Sequence, residues 1–187
     1  MLERLASNAL IDLFLIGIPI AFLFIKKKRE KQALSAKETA RELGLSGIEL
    51  KSFLKKTALL LAALVIAALF LDFLLTAFSV NDSQNIAAEI AGLKAVPLLL
   101  FYLLSARVLS EEIFFRGFLV KRAGVVVSAL LFAAMHFGYG SHAEIAGAFI
   151  LGVILGKAFQ LNKNLYPNIA AHIAYNAIAI SMIFWSV

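Results

Sequence analysis

Three strings in the second half of the chain place ionisable or strongly polar side chains in apolar surroundings: Glu111-Glu112-x-x-x-Arg116, Phe132-x-x-x-His136 and His172-x-x-x-Asn176. Charge is costly in lipid, so a residue of this kind inside a membrane marks a function or a specific pairing. Two carboxylates, two imidazoles and a carboxamide are the parts needed to activate a water and to stabilise an oxyanion. The chemistry they point to is hydrolysis within a membrane.

Helical spacing divides the roles. Glu112 and Arg116 are four apart in the favourable acid-before-base order, whereas Glu111 points about 100° away. Glu112 is therefore expected to pair with Arg116, and Glu111 is the candidate general base. Arg107, four residues before Glu111, could neutralise it; Asp72 lies at a similar estimated depth, roughly 22 to 24 Å from the basic end, and is expected to take Arg107 in an interhelical ion pair. His172 and Asn176 project from one face and carry N–H donors, which suits an oxyanion hole. Phe132 lies one turn before His136 and can shield its imidazole, which would orient or deprotonate water.

Each string has a plainer reading, a hydrogen-bonded core histidine or an ion pair joining two helices. Their joint occurrence at one estimated depth is what favours a functional reading. Glu111, His136 and His172 could alternatively ligate zinc, with water in the fourth position. No compact His-Glu-x-x-His spacing is present, and the favoured expectation is a mechanism without metal or other cofactor.

The elements that must position these residues follow from composition. Of 187 residues, 61% are hydrophobic and the mean hydropathy is +0.89, whereas an ordinary soluble domain is about half apolar. The expected fold is all-α, a polytopic membrane helical bundle forming a single domain over residues 1–187. About six hydrophobic segments are expected, near 8–25, 54–79, 95–120, 125–137, 143–160 and 166–186. The fourth is too short to span alone and is expected to be short or re-entrant. The first lacks the layout of a signal peptide, because its basic cluster follows the apolar run, and is expected to be retained as an anchor.

The net charge of +6 does not indicate nucleic acid, because ten of the eighteen Lys and Arg residues fall between Lys26 and Lys56. A basic cytoplasmic loop at 26–53 facing anionic membrane lipid is the expected arrangement, with both termini outside. Lys121-Arg122 and the region from Lys157 to Lys163 then return to the cytoplasm. Within the loop, Ser35-x-x-Glu38 reads as a capping box for a short interfacial helix ended by Gly44, and Ser46-x-x-Glu49 as the start of the second span. Counted from the cytoplasmic helix ends, Glu111, His136 and Asn176 lie roughly 15 to 16 Å deep and His172 roughly 9 Å, in the cytoplasmic half. His142 and Glu144 fall near an external turn and are expected to be solvated. Gly152-x-x-x-Gly156 is expected to be a close packing surface, and Pro97 and Pro167 fit helix starts. The absence of cysteine excludes thiol catalysis and a disulfide framework.

The ordered set Glu-Glu-x-x-x-Arg, Phe-x-x-x-His and His-x-x-x-Asn resembles the CAAX protease and bacteriocin-processing family, intramembrane endoproteases that include the Ras-converting CAAX enzymes. The resemblance covers roughly residues 95–180, which would carry the catalytic core. It implies that Glu111 and His136 activate the hydrolytic water, that His172 and Asn176 stabilise the oxyanion, and that Glu112 and Arg116 support the site. It implies a peptide or lipidated protein substrate cleaved near the cytoplasmic interface. Members that process prenylated proteins have more membrane helices than the six segments expected here, so peptide hydrolysis is the broader expectation and a prenylated substrate the narrower one. A catalytically inactive scaffold or immunity protein that binds a peptide is the alternative of another class, and a small ion or solute carrier is a third.

Overall fold

The computed structural model describes residues 2–33 and 35–186. Among them every regular element is helical: α1 (Leu2–Arg29), α2 (Ala36–Glu42), α3 (Leu50–Ala77), α4 (Gln84–Ala91), α5 (Pro97–Tyr102), α6 (Val108–Glu111), α7 (Lys121–Ala134), α8 (His142–Asn162) and α9 (Tyr166–Ser186). The backbone widens into π-helical stretches at Leu103–Arg107 and Glu112–Val120, and single 3-10 turns lie at Gly92–Ala95 and Phe137–Tyr139. Five helical runs are long and apolar enough to cross a membrane, residues 6–29, 50–77, 97–139, 142–162 and 166–185. Large apolar side chains such as Phe14, Phe70 and Phe73 point outward, as lipid-facing residues do. The protein is an integral, multi-pass helical membrane protein.

The third run accounts for two of the expected segments. Its 43 residues would extend ~65 Å if straight, about twice the hydrocarbon thickness of a bilayer. It folds back at Gly124, where φ is +82° and ψ 173°, a conformation that a side chain at this position would strain. Beyond the turn, Ser128 donates from Oγ to the Phe115 carbonyl at 2.8 Å, and the Phe115 and Phe132 rings meet edge to face at 5.1 Å. The expected third and fourth segments are thus the long and short arms of one hairpin.

The short arm is held by α8. A Cβ on Gly152 would stand 3.2 Å from the Ala129 Cα, and one on Gly156 would stand 3.0 Å from Val125 Cγ1. Both glycines are needed for the approach, as the small-residue spacing implied. On the other side, α3 packs against α8 and α9, while α1 lies along the π stretch Glu112–Val120 and against α6.

The basic clusters gather at one end of the bundle. Lys26 Nζ lies 3.7 Å from Glu42 Oε2, Lys121 Nζ donates to the Glu42 carbonyl at 2.5 Å, and Asn164 Nδ2 donates to the Ser46 carbonyl at 2.7 Å. At the opposite end Asp82 accepts from Ser141 Oγ, the His142 N–H and the Ala143 N–H at 2.8, 2.7 and 2.9 Å.

Local expectations for the loop need correcting. Ser35 occupies the N-cap of α2, but its side chain makes no capping bond; its carbonyl instead accepts from the Thr39 N–H and hydroxyl, each at 2.9 Å. α3 starts at Leu50 with Glu49 at its N-cap, not at Ser46, whose carbonyl is used by Asn164. Gly44 does end the α2 region, at φ +89°. Pro97 opens α5 and Pro167 is the second residue of α9, as expected.

Candidate active site

The two glutamates sit where the backbone changes. Glu111 closes α6 and Glu112 opens the π stretch Glu112–Val120, and such widened turns often accompany functional sites. Glu112 is fully buried. Its Oε1 lies 3.1 Å from Arg116 Nη1 and accepts from His172 Nδ1 at 2.9 Å, and its Oε2 accepts from Asn168 Nδ2 at 3.3 Å. The expected Glu112 to Arg116 pair is present, and Glu112 also ties the hairpin to α9. Arg116 has limited further polar company: its guanidinium stands over the Phe132 ring at 4.3 Å, and its Nη2 is buried without a hydrogen-bond partner among the described residues. The approach to Glu112 is therefore an ion pair by distance, with Nη1 off the hydrogen-bond direction.

Glu111 is placed differently. Its side chain is half-buried and forms no ion pair or hydrogen bond among the described residues, although its charge is within electrostatic range of His172, Arg107 and Arg116. One carboxylate of the pair is fully committed and the other is not. That asymmetry is what a general base beside a structural acid requires.

The imidazoles flank Phe132. His136 follows the end of α7, with its ring 4.7 Å from that of Phe132, and its Nδ1 is 2.8 Å from the Phe132 carbonyl. A carbonyl only accepts, so Nδ1 carries the proton and a neutral His136 presents the lone pair of Nε2. His172 is buried and meets the other side of Phe132, with ring centroids 6.1 Å apart. Because its Nδ1 is bonded to Glu112, Nε2 is the nitrogen it can offer elsewhere. Asn176, one turn further along α9, is half-buried and makes no hydrogen bond among the described residues.

Two expectations about charges are corrected. Arg107 does not pair with Asp72. Arg107 Nη1 lies 3.0 Å from Asp12 Oδ1 on α1, while Asp72 accepts from Asn81 Nδ2 at 2.9 Å. Matching depth alone did not distinguish the partner helices, and α1, not α3, packs against α6. Glu144 is not simply solvated, since its Oε1 stands 3.9 Å from His136 Nε2. His142 is exposed, as expected.

The depth estimate also changes. Val125 packs against Gly156, six residues inside the Asn162 end of α8, so the hairpin turn lies ~9 Å inward rather than at the surface. His136 faces Glu144, which places it ~27 Å from the Asn162 end of α8. Asn168 donates to the Leu155 carbonyl at 2.8 Å, which puts His172, one turn on, ~16 Å from that end. The polar residues run obliquely from the middle of the bundle towards its less basic end.

Asn168 and Glu144 were missed by sequence reasoning, and each had a signal. Asn168 precedes His172 by four residues, so Asn168, His172 and Asn176 form one polar stripe on α9. Glu144 would have been found by pairing α8 with the short arm through Gly152 and Gly156. Among the described residues no group of three His, Asp or Glu side chains stands close enough together to hold a metal ion.

Comparison with known proteins gives a family match over part of the chain. Residues 91–178 match the family described as type II CAAX prenyl endopeptidase Rce1-like, a stretch that runs from the end of α4 into α9 and contains every residue of the three strings. The chain is also 30% identical over 101 residues to the uncharacterized protein YpbD of Bacillus subtilis (strain 168), covering 52% of this chain and 51% of that protein. It thus spans about half the length of the curated relative it matches. No solved structure matches the chain. The resemblance to the CAAX protease family is borne out over residues 91–178.

Proposed function

We propose that this chain, Rce1-like over residues 91–178, is an intramembrane endopeptidase whose base is Glu111. The observation that carries the reading is the division of labour between adjacent carboxylates: Glu112 is held by Arg116, His172 and Asn168, while Glu111 beside it has no direct partner among the described residues. A lone carboxylate at this depth is costly unless it is used.

In this reading a water bound between Glu111 and the Nε2 lone pair of His136 loses a proton to Glu111 as its oxygen attacks the scissile carbonyl carbon. The oxyanion that forms is met by donors from α9, the Asn176 carboxamide and His172 Nε2–H. A second proton on His172 is balanced by Glu112 on its other nitrogen. Glu111 then returns its proton to the departing amide nitrogen as the C–N bond breaks. Water is consumed, and a carboxylic acid and an amine are released. Metal is not part of this mechanism. Arg116 and Asn168 act by fixing Glu112 and, through it, the His172 ring.

The substrate class is a peptide or lipidated protein segment that reaches the site from within the membrane. The basic end faces the cytoplasm and anionic lipid in this proposal, by the positive-inside bias of its clusters. The test is a comparison of protein N-termini in membranes of cells that carry the wild-type chain or Glu111→Gln. Fragments present with the wild type and absent with Glu111→Gln support the reading and name the substrate. Wild-type fragments persisting in the variant would overturn it.

A further inference from the structure

The helix that carries Glu111 also carries an arginine one turn before it, and a polar cluster on α1 holds that arginine. Arg107 and Glu111 are four residues apart, a spacing at which opposite charges on a helix meet. Yet among the described residues no ion pair joins them. Arg107 Nη1 is 3.0 Å from Asp12 Oδ1, and its Nη2 donates to the side chain of Asn8 and, at 3.3 Å, to the Asn8 carbonyl. Asp12 is fixed in turn: Oδ1 accepts from Ser110 Oγ at 2.6 Å and Oδ2 accepts from the Tyr102 hydroxyl. Asp12, Arg107 and Ser110 are all buried.

Among the described side chains along this part of the bundle, three carboxylates, Asp12, Glu111 and Glu112, face two guanidinium groups, Arg107 and Arg116, beside the titratable imidazole of His172. Arg116 is taken by Glu112 and Arg107 by Asp12. The acid left over is Glu111. Without the Asp12 charge the count would be two against two, and Arg107 would have Glu111 within reach on its own helix.

We propose that Asp12, with Asn8, is a positioning residue for the hydrolytic reaction: it draws Arg107 onto α1 and thereby keeps the Glu111 carboxylate unpaired. This inference rests on the reading of Glu111 as the base. It gives α1, which lies outside the matched residues 91–178, a part in the chemistry that packing alone does not require.

The experiment has one readout that needs no substrate. A hydrophobic carbodiimide reacts with carboxyl groups through their transiently protonated fraction, so the extent of labelling reports how readily each carboxylate takes up a proton, and peptide mass analysis locates the adduct. In the full-length protein in detergent, Glu111 is expected to be labelled in the wild type and about tenfold less in Asp12→Asn, because an opposite charge in contact favours the ionised form. Asp12→Asn with Arg107→Gln is expected to recover the labelling, because the competing cation is gone. Asn8→Ala, which keeps both charges and loosens the arginine, is expected to fall between and serves if Asp12→Asn does not fold. The second readout is the set of Glu111-dependent membrane fragments, which should be lost in Asp12→Asn and recovered in the double variant. Unchanged labelling in Asp12→Asn, or failure of a folded double variant to recover it, overturns the inference. So does a wild-type Glu111 that does not react. If the labelling pattern holds but no Glu111-dependent fragments exist, the arginine is diverted as described and the protease reading is what fails.

Discussion

At the scale of single residues, the adjacent glutamates give the sharpest expectation. Glu111→Gln keeps the shape and removes the proton acceptor, so cleavage should be abolished while thermal stability in detergent changes little. Glu112→Gln should lose both, because it leaves the buried Arg116 without its counter-charge, a loss of about 3 to 5 kcal/mol for a broken buried pair. Equal melting temperatures for the two variants would show that the two carboxylates are not divided in this way. On α9, His172→Ala and Asn176→Ala should each lower turnover about 100-fold or more if their donors meet the transition state, with KM little changed. Glu144→Gln is expected to have a smaller effect on turnover than either, as Glu144 stands 3.9 Å from His136 Nε2 and only shapes the field around it. The pairing of Glu112 with Arg116 was legible because helical periodicity separates residue 111 from residue 112 and joins 112 to 116. Asp12 was not legible as the partner of Arg107, since the choice between two acids at similar depth depends on which helix lies alongside.

At the scale of elements, the hairpin and its clamp matter most. Gly124 and the pair Gly152 and Gly156 are positions where a side chain would be crowded or would strain the backbone. Gly152→Leu should push the short arm from α8 and displace His136 and Phe132, so activity and melting temperature should fall together. Loss of activity without loss of stability would mean that the arm is held by other contacts. The positions of the hydrophobic segments were readable from hydropathy, although two of the six expected belong to one of five helical runs. Their level was not, because counting from each helix end assumes that all ends lie at one surface, and the turn at Gly124 is sunk beside Gly156.

The loop joining α3 to α4 offers a titration. Asp82 closes the N-terminal turn of α8, and its hydrogen bonds from the Ala143 N–H, the His142 N–H and Ser141 Oγ lower its pKa from 3.8 to about 2. A carboxylate held below its unfolded value contributes stability above that value and loses it on protonation in the folded state. Asp82→Asn should therefore be less stable than the wild type near pH 6, and the difference should shrink as pH falls from about 4 to about 2. A gap that stays constant down to the acid end would assign the stabilisation to shape rather than to charge.

At the scale of the whole molecule, the contrast between the basic end and the less basic one carries the orientation proposed above. Because the chain has no cysteine, a single introduced one reports position without background. Lys31→Cys, at the basic end, should be labelled by an impermeant maleimide only from the cytoplasmic side, and Ser79→Cys, at the other, only from outside. The reverse pattern would invert the proposed topology. That the basic clusters share one end was legible in the sequence because Lys and Arg clusters recur at alternate loops. The oblique run of polar residues between them could not, because it depends on the offset between helices.

The tie between α1 and the rest of the bundle also imposes a waiting time on synthesis. Asn8 and Arg107 are separated by 99 residues, so at about 5–20 residues per second the first helix leaves the ribosome ~5–20 s before its arginine exists. During that interval Asp12 is an acid in lipid without the counter-charge of Arg107, and the helix bearing it should sit shallowly or slide. Nascent chains arrested before residue 107 should therefore release α1 to alkaline extraction far more readily than chains arrested after Tyr139. Asp12→Leu should abolish that difference, making α1 an ordinary anchor from the moment it is made.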